Sequence, residues 1–128
     1  MIDCLILGDS IAVGIGQMRR DCTTVAVAGI GAEAFLTRYG DKAATEARVV
    51  VVSLGSNDHV VNVAALVDLR RRLRGQRVIW VLPAAASKAW EVSTVALSAG
   101  DAAIPIPDRA DHAHPTAAGY RKMGEAMQ

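Results

Sequence analysis

Four short stretches hold the residues able to do chemistry: Gly8-Asp9-Ser10, Gly29-Ile30-Gly31-Ala32, Gly55-Ser56-Asn57-Asp58-His59 and Asp111-His112-Ala113-His114. Ser10 follows an apolar run and opens a helical one. A serine in that place commonly caps the helix. On a tight strand-to-helix turn, however, its hydroxyl is also raised at the sheet edge with its own N–H at the helix N-terminus, which suits attack on a carbonyl. His114 can act as a base. Asp111, three residues earlier in a turn-forming segment, is near enough to hold one imidazole nitrogen while the other faces Ser10. Asn57 is a turn residue on its plainest reading, yet its amide can also donate to a developing oxyanion. Taken singly, each has a structural explanation; together they supply nucleophile, base, orienter and oxyanion donor.

These residues are far apart in sequence, so the elements between them must bring them together. Apolar, β-branched runs at 2–7, 22–28, 48–54, 77–82 and 102–106 predict five strands, nearly continuous in Val, Ile, Leu and Ala as strands buried on both faces should be. Amphipathic stretches at 10–20, 32–46, 60–74, 87–99 and 115–127 predict the intervening helices, with Leu66, Leu69 and Leu73 at helical spacing in the third. Pro115 suits a first helical position, and Tyr120, Met123 and Met127 form an apolar stripe in the last helix. Five such βα units make a three-layer α/β/α sandwich on a flavodoxin-like parallel sheet of order 2-1-3-4-5, a single domain over 1–128. Open sheets of this kind bind ligands at the carboxyl ends of their strands, where the four stretches fall.

The 128 residues, 52% hydrophobic and 21% charged with a formal net charge of +1, have no long-range field that would draw nucleic acid or an anionic membrane. The run Asp68 to Arg74, with Arg70, Arg71, Arg72 and Arg74, lacks interleaved aromatics and reads as a solvated helix face. No run reaches the roughly 18 apolar residues of a membrane span, and Asp3 stands where a signal peptide would have its basic start. A cytoplasmic protein is the default expectation, and a phage-encoded origin stays open. Cys4 and Cys22 have no metal-site spacing and read as small buried hydrophobes in two strands, a disulfide between them being the less favoured alternative. Oligomeric state is not legible.

Block by block the chain resembles the SGNH hydrolase superfamily, the GDSL-like esterases. Gly8-Asp9-Ser10 with Gly14 is similar to its nucleophile block GDSxxxG, Gly55-Ser56-Asn57-Asp58 to its GxND block, and Asp111-His112-Ala113-His114-Pro115 to its DxxHP block, in family order. The resemblance implies a flavodoxin-like fold, no metal or cofactor, and hydrolysis of esters or thioesters through an acyl-serine. It also implies a backbone donor to the oxyanion in the second block. There the chain departs from the family: Ala32 falls where the donor glycine usually sits, and Gly31 is the alternative. The expected set is Ser10, His114 and Asp111 as triad, with Ser10, Gly31 or Ala32, and Asn57 around the oxyanion. Activity should then rise with pH as the imidazole sheds its proton.

Only five aromatic residues and little spare length for a lid favour a small acyl group such as acetyl, on a small-molecule or carbohydrate ester. The alternatives are a lipase or thioesterase of longer acyl chains and an inert flavodoxin-like binding or structural module. A metallophosphoesterase using Asp9, His59, Asp111, His112 and His114 is a weaker rival, because the ligand motifs of that class are out of order here.

Overall fold

Apolar residues come in runs in this chain, and the runs become strands covered on both sides. In the computed structural model, which describes residues 1–128, they form β1 (Ile2–Gly8), β2 (Thr23–Ala26), β3 (Glu46–Ser53), β4 (Arg74–Val81) and β5 (Ala102–Ile104). Every pairing is parallel and the order is β2-β1-β3-β4-β5, as the alternation of elements predicts. The crossovers are α1 (Ser10–Met18), α2 (Ala32–Ala43), α3 (Val63–Arg72) and α4 (Ala86–Ser98), and α5 (Ala117–Ala126) closes the chain.

The period of two along a strand divides the core into two halves. Val50 and Val52 of β3 face one side with Leu5, Leu7 and Trp80, where Phe35, Leu66, Leu69 and Val92 of α2, α3 and α4 pack on them. Val49 and Val51 face the other side with Ile6, Ile79 and Val81, under Ile11 and Ile15 of α1 and Met123 of α5. The result is a three-layer, flavodoxin-like sandwich. Because α5 shares a layer with α1, the chain leaving β5 at one edge must return across the carboxyl ends of the strands. Residues 105–116 make that crossing and carry the His114 segment over the sheet.

Boundaries shift where pairing overrides propensity. β4 starts at Arg74 rather than 77, because Arg74 and Gly75 pair with Glu46 and Ala47 of β3. α5 starts after Thr116, whose hydroxyl accepts the N–H of Gly119, so Pro115 stays outside the helix and forms an isolated bridge with Arg109. The arginine run is largely absorbed by local acids. Arg70 forks onto Asp101 at 2.6 and 2.9 Å, Arg71 meets Asp68 at 3.3 Å and Arg74 meets Glu46 at 3.7 Å. Asp101 also accepts the indole N–H of the buried Trp80 at 2.9 Å, tying β4 to the segment before β5.

Cys4 and Cys22 are joined in a disulfide, not separate core residues. The reason lies in register: Leu5 pairs with Thr23, so the two preceding residues stand opposite each other, Cα–Cα 4.8 Å, with Cys22 just ahead of β2. The 18-residue separation closes a ring that contains the end of β1, the Gly8-Asp9-Ser10 turn and all of α1. No helix is long and apolar enough to cross a membrane. Opening the ring, by reduction or by a Cys4→Ala/Cys22→Ala variant, should lower unfolding free energy by about 3 kcal/mol in urea titration, the loop-closure entropy for a ring of this size.

Candidate active site

The turn after β1 is built around Gly8. Its φ is +139°, and a Cβ there would lie 1.9 Å from the Ser53 carbonyl oxygen, so only glycine lets β1 run this close to the end of β3. The next N–H, that of Asp9, donates to the same Ser53 carbonyl at 3.0 Å. Asp9, not Ser10, is the cap of α1: its Oδ1 accepts the Ile11 N–H at 3.0 Å and the Ser53 hydroxyl at 2.9 Å. The residue is 1% exposed and its Oδ2 has no partner. Burial pushes the carboxyl above its ordinary pKa, and the bonds from Ser53 and Ile11 oppose that rise. With capping done by Asp9, the Ser10 hydroxyl at the first helical position is released from that role and meets His114 Nε2 at 2.8 Å.

The His114 segment is a tight loop held by its own backbone. Ala110 N–H donates to His114 O at 2.8 Å, Thr116 N–H to Asp108 O at 2.7 Å, and Asp108 itself adopts φ 49°. Asp111 organises the tip: Oδ1 accepts the N–H groups of Ala113 and His114, both at 2.7 Å, and Oδ2 lies 3.2 Å from His114 Nδ1. Those two N–H bonds, with the imidazole a smaller contributor, lower the Asp111 carboxyl to about 2. An anionic Asp111 makes Nδ1 the protonated nitrogen and leaves the Nε2 lone pair for the serine proton, the tautomer assignment following from this bonding.

The remaining elements supply N–H groups at the same edge. Asn57 Nδ2 donates to the Ile30 carbonyl at 3.1 Å, locking the β3 loop to the β2 loop and leaving its second N–H unassigned. Of the two backbone candidates, Ala32 is already engaged: its N–H donates to Asp58 Oδ1 at 3.0 Å, while Asp58 Oδ2 takes the Asn62 N–H at 3.0 Å. Of the two positions left open by the resemblance, Ala32 is therefore the one with an acceptor inside the protein. Gly31, at the ordinary φ of −88°, and Ser10 have backbone N–H groups with no protein acceptor. The arrangement thus offers a hydroxyl, a base, an anion behind the base, and donors from Ser10, Gly31 and Asn57.

Some residues singled out from sequence stay apart. His59 and His112 are exposed and make no hydrogen bond to the Ser10–His114 pair. The only three potential metal ligands with donor atoms within 4.8 Å of one another are Cys4, Asp21 and Cys22, whose sulfurs are in the disulfide, so the rival set on Asp9, His59, Asp111, His112 and His114 does not converge. Conversely, sequence reasoning gave no role to Ser53 or to Asp58. A lone hydroxyl ending the buried valine run of β3 was the available signal for Ser53; Asp58 had none beyond its place beside Asn57. No family model matches the chain, and no curated protein is significantly similar to it.

Two outcomes follow. For ester hydrolysis at Ser10 with the oxyanion held by Gly31, Ala32→Pro, which removes an N–H at a first helical position where proline is well tolerated, should leave kcat within a few-fold, whereas Gly31→Pro should lower it roughly 100- to 1,000-fold. NMR titration of the Asp111 carboxyl should give a midpoint near 2. Because this pKa is depressed, the stabilising contribution of the Asp111 bonds to the loop tip is full above the ordinary carboxyl range and is lost as pH falls toward that midpoint.

Proposed function

We propose that the chain is a metal-independent serine ester hydrolase of the SGNH type. The observation that carries the reading is the relay Ser10 Oγ–His114 Nε2 at 2.8 Å and His114 Nδ1–Asp111 at 3.2 Å, assembled from residues 104 positions apart. In this reading Ser10 Oγ attacks the ester carbonyl carbon and passes its proton to His114. The carbonyl electrons move to oxygen, facing the N–H groups of Ser10 and Gly31 and the Asn57 amide. On collapse the bond to the alcohol breaks, and His114 gives that alcohol the proton. Water, deprotonated by His114, then cleaves the acyl-serine and releases the acid and Ser10.

Several features support a small acyl group on a hydroxyl-rich alcohol, acetyl on a carbohydrate being the leading case. A cleft of about 480 Å³ opens beside Gly31 and is lined by Glu33, Thr37, Arg38 and Asp58, a mixture of donors and acceptors that matches hydroxyls better than an alkyl tail. Longer-chain lipase or thioesterase action has less support, because Ala34 is the one apolar side chain lining that cleft. The inert-scaffold reading has less support too, since a module with no chemistry has no need of a base held in one tautomer. The disulfide favours an oxidising compartment over the cytoplasmic default.

A fluorophosphonate probe should label Ser10, and p-nitrophenyl acetate should be cleaved faster than the butyrate and octanoate esters. Ser10→Ala should abolish labelling and lower kcat by on the order of 1,000-fold or more. Full activity in that variant would overturn the reading; a preference for octanoate would overturn the acetyl assignment.

A further inference from the structure

We infer that Arg109 gives this site a second acyl specificity beside uncharged acetyl, for short chains that end in a carboxylate; the inference rests on the hydrolase reading above. Beyond the carboxyl ends of β4 and β5 lies a second cleft, of about 240 Å³, walled by Leu82, Pro83, Ala89, Pro105 and Ile106 and by Arg109. Pro105, Ile106 and Arg109 lie in the 105–116 crossing that carries His114. Pro83 abuts the Asn57 loop, since a Cβ placed on Gly55 would lie 3.7 Å from the proline ring. Arg109 is bridged to Pro115, the residue after His114.

The charge around this cleft has one sign. No carboxylate lines it. Asp108, next to Arg109, is paired with Lys122, and Asp111 is bonded to Ala113 and His114. The Arg109 guanidinium itself has no salt bridge and no hydrogen bond within the chain. An apolar floor ending at a planar, unpaired guanidinium takes methylenes along its length and a carboxylate at its end, where the fork can bond both oxygens. The cleft is smaller than the 300–1,000 Å³ typical of pockets for drug-sized ligands, which limits the occupant to a short chain. β4 lies two strand spacings from β1, about 10 Å, so the carboxylate must stand several carbons from the carbonyl that Ser10 attacks, as in an adipyl rather than a succinyl group.

The test compares mono-p-nitrophenyl adipate with p-nitrophenyl hexanoate on the protein, Arg109→Gln and Arg109→Lys. The ratio of their kcat/KM values cancels any general loss of structure. It should favour adipate in the parent chain, fall on the order of tenfold in Arg109→Gln, chiefly through KM, and fall less in Arg109→Lys, which keeps the charge. A ratio that does not favour adipate, or that is unchanged in Arg109→Gln, overturns the inference. Calorimetric titration of adipate dianion into Ser10→Ala, with and without Arg109→Gln, separates the two claims. Binding that depends on Arg109, with no ester hydrolysed by the parent, would sink the hydrolase reading and keep the anion subsite; equal binding by both variants would sink the subsite whatever the turnover.

Discussion

A buried carboxylate just past the end of β1 sets the turn on which the site depends. Asp9 accepts from the Ser53 hydroxyl and from the Ile11 N–H, so one side chain in the turn after β1 joins the end of β3 to the first turn of α1. Removing a carboxylate from water is costly, and the bonds to its Oδ1 offset only part of that cost, which is why its pKa is raised and why its Oδ2 stands unpaired. The carboxylate does two things for the residue after it. It satisfies the helix N-terminus that a serine would otherwise cap, and it ties α1 to the end of β3, which leaves the Ser10 hydroxyl to meet His114.

The opposite half of the relay is positioned by layer assignment. The sheet order places β5 at an edge, while Met123 sends α5 to the same face as α1. The connecting chain therefore has to cross above the strand ends, and the His114 loop is a section of that crossing. Its rigidity comes from local bonds: Asp111 gathers two N–H groups and the imidazole, and the Arg109–Pro115 bridge closes the base of the loop. His114 is thus oriented by a loop that folds on itself, and Ser10 by a turn buried in the sheet. Packing of α5 on α1 aligns the two.

Much of this was legible in the residues. Continuous Val and Ile runs at 48–54 required a strand covered on both faces, and the alternation of such runs with amphipathic segments led to the observed strand order. Ser10, Asn57, Asp111 and His114 could be assigned to strand ends because those ends are where apolar runs stop. Other features were not legible, for particular reasons. Whether Ser10 or Asp9 caps α1 depends on Ser53, 44 residues away, which draws the Asp9 side chain inward. Whether Ala32 or Gly31 offers a free N–H depends on Asp58, which occupies the first of them. The pairing of Cys4 with Cys22 depends on a register that only the β1–β2 ladder sets.

The distinction follows from the range of the forces. Periodicity, helix propensity and turn chemistry act over a few residues, so the amino-acid sequence by itself determined the class of fold, the number and type of its elements, and which residue types stand at the strand ends. Hydrogen-bond partnership is a competition among all groups brought within about 3 Å of one another, and its winners belong to different elements. Only the tertiary structure decided that Asp9 caps, that Asp58 consumes the Ala32 N–H, that two cysteines meet, and that Arg109 stands unpaired at the end of an apolar cleft.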